Sequence, residues 1–154
     1  MALLPRRLVA TLVVALALVG AAAGCGDGQS AEDEVKDVVT GFFDDVADGD
    51  GAAGCAKLTA AAVEQISEAA FLLQAPGSCR EAIESVSRQL SDDDKKALTS
   101  AEVNGAAVTG SRAVVADADI ALRMSGQSTL FRNNDPAPLT LEKVGEDWKI
   151  SSLG

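Results

Sequence analysis

The sequence predicts an α+β domain, with helices in its first part packed on one face of a curved antiparallel sheet formed by its second part. Two observations point to this class. Apolar residues recur at helical spacing from about residue 30 to about residue 98, and from about residue 100 the apolar period falls to two. The later segments are joined by short glycine-containing connections at Thr109-Gly110-Ser111, Ser125-Gly126 and Gly145-Glu146, the length and composition of hairpins. A chain of 154 residues is long enough for one such domain with a real core and short for two.

The first helix begins after Ser30, a residue able to cap it. In "AEDEVKDVVTGFFDDVADGDG", Val35, Val38, Val39, Phe42, Phe43 and Val46 fall on one helical face with acids between them. Glu32, Asp33 and Glu34 suit the positive end of the helix dipole, and Gly49 and Gly51 are expected to end the helix. "AAGCAKLTAAAVEQISEAAFLLQ" continues as one helix or two short ones, with a break near Thr59, whose hydroxyl would cap the second of them. Pro76-Gly77 is a turn. "SCREAIESVSRQL" then sets Cys79, Ile83, Val86 and Leu90 on one face, and Ser91 with Asp94 opens a short final turn.

The rest of the chain reads as strands. "AEVNGAAV" leads through Gly110 into "RAVVADADIALR", where Val114, Ala116, Ala118, Ile120 and Leu122 alternate with Val115, Asp117, Asp119, Ala121 and Arg123. That alternation predicts one long strand, wet on the second face. "STLFR" is a further strand and "NNDPAP" a loop. "LTLEKV" and "DWKISSL" close the chain as a hairpin, with Trp148 and Ile150 sharing a face.

Composition excludes some functions. The chain is 47% hydrophobic and only 3% aromatic, so Ala, Val, Leu and Ile must build the core around Phe42, Phe43, Phe71, Phe131 and Trp148. Its formal net charge is -10. A surface this acidic repels phosphate backbones, so nucleic acid is not an expected partner, and a basic patch for anionic lipid is not expected either.

The first 24 residues have the order of an export signal: Arg6 and Arg7, then an apolar run from Leu8 to Val19, then small residues to Gly24. A spanning helix needs about 20 apolar residues, which this run does not quite reach. The "AAGC" at Ala22 to Cys25 resembles the lipobox of bacterial lipoproteins, with Ala22 standing where a leucine is usual. The resemblance implies that residues 1–24 are removed and that Cys25 carries a diacylglyceryl group. Residues 25–30 would then be a short tether, and 31–154 the folded domain, held on the outer face of the cell membrane. Plain secretion and an uncleaved anchor are the competing readings. Export through the general secretory or the twin-arginine route is left open by Arg6-Arg7. Loss of those two arginines takes the mature charge from -10 to -12.

With Cys25 taken by lipid, Cys55 and Cys79 remain in an oxidising compartment, and one disulfide between them is the default. Closing a loop of about 25 residues contributes roughly 3 kcal/mol in the chain-entropy model.

The helix ending in "FFDDVADGDGAAGCAKL", a second cysteine on a later helix and the terminal "LTLEKVGEDWKISSL" together resemble the small NTF2-like domains of exported lipoproteins in high-GC Gram-positive bacteria. The resemblance covers about residues 30–154 and implies a cone, a bent sheet wrapping the helices around a cavity. It also implies that dimers through the open sheet face are common. It brings a shape rather than a reaction.

Candidate residues divide by chemistry. NTF2-like isomerases and dehydratases resemble this chain in architecture and use a cavity Asp or His with Tyr or a protonated acid, but the chain has no His and no Tyr. The general acid–base candidates are therefore carboxylates, Asp117 and Asp119 first, and a solvent-facing position is expected for both. A Ser-His-Asp or Cys-His nucleophile is excluded. "DDVADGDG" fits no calcium loop: a start at Asp48 places Ala52 and Ala53 where glycine and oxygen ligands belong and Thr59 where a glutamate belongs. Three widely spaced cysteines without histidine make no zinc site. No metal and no cofactor is expected. Phe42, Phe43 and Trp148 would stack on a ligand in a cavity, although at their spacing such residues are more often core. The expectation is a non-enzymatic, membrane-anchored lipoprotein that binds a small apolar ligand or an envelope partner protein, with a cavity-carboxylate enzyme and a dimerising interaction module as the rivals.

Overall fold

The computed structural model describes residues 29–72, 77–122 and 138–153. The leader, Cys25 and the first part of the tether lie outside the described residues, as do Pro76, the segment "STLFR" and the loop "NNDPAP" up to Ala137.

Helix α1 (Ala31–Asp48) begins where the Ser30 hydroxyl accepts a hydrogen bond from the Asp33 amide at 3.1 Å. It ends at Gly49, whose φ of 75° is the left-handed cap that glycine takes without strain. Its buried face is Val35, Val39, Phe42, Phe43, Val46 and Ala47. Gly51 does not terminate this helix but opens the next one, α2 (Gly51–Ala56), because Asp50 supplies a new cap: its Oδ1 accepts from the Ala53 amide at 3.0 Å.

The expected break falls at Thr59, whose hydroxyl accepts from the Ala62 amide at 3.3 Å and starts α3 (Ala60–Leu72). In α4 (Cys79–Gln89), Ser78 and Glu81 form a reciprocal capping box, and Cys79, Ala82, Ile83 and Ser87 are buried. Helix α5 (Asp92–Thr99), capped by Ser91, is longer than the single turn expected.

Among the described residues, six strands form two antiparallel sheets. One pairs β1 (Glu102–Val103) with β4 (Ile120–Ala121). The other has four strands in the order β2 (Ala107–Thr109), β3 (Arg112–Val115), β5 (Leu139–Val144), β6 (Asp147–Ser152). The long strand predicted over "RAVVADADIALR" is a correction: it stops at Val115, Asp117–Asp119 form one 3₁₀ turn, and the chain resumes as β4 in the other sheet.

The assignment of faces in that segment is also corrected. Ala113 and Val115 point into the core at 2% and 0% exposure while Val114 faces out at 40%. Ala113, Val114 and Val115 are all apolar, so alternation within the segment has no phase of its own. The phase is set by the neighbouring strand, where Ala113 pairs with Leu141 and Val115 with Leu139, both buried.

The inner face of the four-stranded sheet packs on α1. Val115, Leu141, Trp148 and Ile150 meet Val35, Val39, Phe42 and Phe43 in one cluster that also takes in Leu58, Ile83 and Leu98. Each large side chain removed from water there contributes about 1.5–3 kcal/mol. The remaining edge of β6 is closed by the chain after α2. Ile150 donates its amide to the Lys57 carbonyl and accepts from the Thr59 amide, both at 2.8 Å, in a parallel bridge beside Leu58. The fold is thus a mixed helix and antiparallel sheet domain, with the helices gathered on one sheet face.

Candidate functional site

Cys55 and Cys79 are joined as a disulfide, with sulfurs 2.01 Å apart and Cα atoms 6.2 Å apart. The bond is positioned by close backbone packing between α2 and α4. A Cβ on Gly51 would sit 2.3 Å from the Arg80 carbonyl oxygen, and one on Gly54 would sit 2.8 Å from Ile83 Cδ1. Only glycine lets the two helices approach so closely. Cys79 is buried and Cys55 half-buried. With both cysteines bonded, the third of the chain's three, Cys25, is the one thiol outside this pair.

The aromatic candidates lie in the core. Phe42 and Phe43 are 2% and 1% exposed and lean on one another, with ring centroids 6.2 Å apart and planes tilted by 52°. Trp148 is buried at 4%, and its indole Nε1 donates to Glu34 Oε2 at 3.1 Å. Lys143 stands across the hairpin with its Nζ 5.7 Å from the centre of the Trp148 ring and 3.8 Å from the same Glu34 oxygen. This contact ties the first turns of α1 to the last hairpin. Sequence reasoning misses Glu34 as a partner, because it lies 114 positions from Trp148 and nothing local couples them.

The carboxylate candidates are not assembled. Asp117 and Asp119 sit on the 3₁₀ turn, Asp117 exposed and Asp119 half-buried, rather than alternating along a strand. In the acidic stretch at the end of α1, Asp45 pairs with Lys57 at 2.5 Å and Asp50 caps α2, so two of its carboxylates already have structural roles. Among the described residues no group of three His, Cys, Asp or Glu side chains is placed to hold a metal ion. No helix among them is long and apolar enough to cross a membrane.

The clearest charge effects are on two cations of the helices, Lys36 and Arg80. The carboxylate of Glu32, hydrogen-bonded to Lys36, holds the Lys36 ammonium above its ordinary value, and Glu84 does the same for Arg80. Both are one-turn surface pairs within a helix, at 2.7 and 2.8 Å.

Compared with models of known protein families, with curated proteins and with solved structures, the chain has no match.

Proposed function

We propose that this protein is a lipoprotein anchored by its lipid on the outer face of the cell membrane, whose NTF2-like α+β domain is a non-enzymatic binding module for an envelope partner protein or a small apolar ligand. The observation that carries the reading is the division of the three cysteines. Cys55 and Cys79 hold each other inside the domain, and Cys25 lies at the end of an export-type leader in the setting "AAGC". The bonded pair suits an oxidising compartment, and a separate thiol at a cleavage junction is what lipid attachment requires.

Two acyl chains, at about 0.8 kcal/mol per buried methylene, hold a domain at a bilayer without a spanning helix. The binding role, rather than a catalytic one, is supported by the exposure of Asp117 and by the chain's lack of His and Tyr. Packing of Phe42, Phe43 and Trp148 within the core favours recognition through the surface, and so a protein partner over a ligand stacked between rings.

The test is Cys25→Ala in the producing cell. The variant is expected to leave the membrane fraction, and mass spectrometry of the unaltered protein is expected to find a diacylglyceryl-modified Cys25 as the amino terminus. Retention of the variant in membranes, or an unmodified mature terminus, removes the reading.

A further inference from the structure

Asparagine followed by glycine is the usual pair of a two-residue hairpin turn, where both positions need a positive φ. Asn104-Gly105 has no such role. It lies in the stretch 104–106 between β1 and β2, strands of different sheets, and the described glycines of positive φ are Gly49, Gly110 and Gly145. A Cβ built on Gly105 would have the Asp119 carboxylate as its nearest neighbour, at 3.5 Å, an ordinary contact. The fold therefore does not require glycine at position 105.

What the pair offers is a reactive junction. Asn104 is exposed, and no described residue hydrogen-bonds its side-chain amide. Its backbone amide donates to the Asp119 carbonyl at 2.8 Å, which fixes the chain just before the side chain. The next amide, that of Gly105, donates to no described residue. The other described junctions of an acid or amide with glycine are occupied. Gly49 donates its amide to the Asp45 and Val46 carbonyls. Gly51 donates to the Gly49 carbonyl at 3.0 Å, and the Asp50 carboxylate before it is held as the cap of α2.

We infer that Asn104-Gly105 is a site of spontaneous covalent modification in the folded protein: deamidation through a cyclic imide, with water as the co-reactant. The Gly105 nitrogen bonds to Asn104 Cγ. Its proton passes through water to the side-chain nitrogen, which leaves as ammonia when the Cγ–Nδ2 bond breaks. Water then opens the imide. Attack at Cγ breaks the new bond to the Gly105 nitrogen and gives aspartate. Attack at the Asn104 backbone carbonyl breaks the original peptide bond and gives isoaspartate, with the chain now running through Cγ. Neither step oxidises or reduces anything. Glycine permits the first bond, because without a Cβ its backbone can approach the Asn104 side chain closely.

The product fits its surroundings less well than asparagine. Either acid adds a negative charge next to Gly105, where the Asp119 carboxylate already lies. Isoaspartate also lengthens the backbone by a methylene at the point where the Asn104 amide meets the Asp119 carbonyl. The pairing this loosens is that of β1 with β4, which consists of Glu102 with Ala121 and Val103 with Ile120.

The experiment incubates the purified protein, with its Cys55–Cys79 bond intact, at neutral pH beside a synthetic peptide of residues 97–112. Trypsin releases the same stretch from the protein by cutting after Lys96 and Arg112. It contains Asn104 as its one asparagine and no glutamine, so a change of mass from amide to acid reports Asn104 alone. The folded protein is expected to convert within about tenfold of the free peptide's rate, as an exposed loop position should. Gly105→Ala is expected to keep the circular dichroism spectrum and to slow conversion by about tenfold or more, in protein and peptide alike. Deuterium exchange of the converted protein is expected to be faster at β1 and β4 than before conversion. Protein that keeps its amide after the peptide has converted overturns the site, as does a Gly105→Ala variant that converts at the original rate. Converted protein with unchanged exchange at β1 and β4 overturns the loosening.

Discussion

Gly51 and Gly41 are both helical positions with a neighbour in the space where a side chain would go, and they differ in what that neighbour is. At Gly51 the obstacle is the Arg80 backbone, with its carbonyl oxygen 2.3 Å and its Cα 2.9 Å from an added Cβ. Backbone held in a capped helix and anchored beside a disulfide has no easy way to yield. At Gly41 the obstacle is the far end of the Lys57 side chain, its Cε at 2.9 Å, which yields more readily than backbone although its shift strains the Lys57–Asp45 pair. Gly51→Ala is therefore expected to lower unfolding free energy by about 1–3 kcal/mol, the usual penalty for overpacking. Gly41→Ala should stay within about 1 kcal/mol of the unaltered protein, because the gain in helix propensity offsets the displaced lysine. Urea denaturation of both variants decides it, and equal losses would show that the α2–α4 contact is softer than its geometry implies.

At the scale of elements, the disulfide joins α2, a helix with little apolar burial of its own, to α4, which buries Cys79, Ala82 and Ile83. Helix α2 has six residues and buries only Gly51 and Gly54, so its place in the fold depends on the Cys55–Cys79 link and on the Asp50 cap. Replacing both cysteines by serine should cost about 3 kcal/mol for a loop of 24 positions. Hydrogen exchange should show the loss of protection centred on α2 and the start of α4, while the β5–β6 hairpin keeps its own. Uniform loss across the domain would mean that the bond stabilises only through the unfolded chain.

The elements also show what the sequence could and could not disclose. Helix α1 was legible because its six spaced apolar residues, its serine cap and its closing glycine all agree. The closing hairpin was legible because Gly145, with φ of 68°, sits between two alternating runs. The segment after Arg112 was not, since a run of Ala and Val lacks internal phase and two aspartates flanking Ala118 favour a turn over a strand. The cysteine pairing came from counting once Cys25 was set aside. The Glu34–Trp148–Lys143 contact depends on how α1 docks against the hairpin, a tertiary fact that no local pattern encodes.

For the whole molecule the governing quantity is charge. The chain has 23 acidic and 13 basic residues, and among the described residues the ion pairs are mostly on the surface, as with Arg112–Glu142, whose side chains are 79% and 44% exposed. Exposed pairs of that kind contribute about 0–1 kcal/mol each. The excess acids repel one another throughout the folded surface, and compaction brings them closer than in the unfolded chain. Raising sodium chloride from about 10 mM to about 150 mM shortens the Debye length from about 30 Å to about 8 Å, which removes the long-range repulsion while leaving contacts such as Lys57–Asp45, half shielded from solvent, less affected. The melting temperature of the protein in non-ionic detergent should therefore rise over that range. A fall would mean that the attractive pairs outweigh the excess of acids.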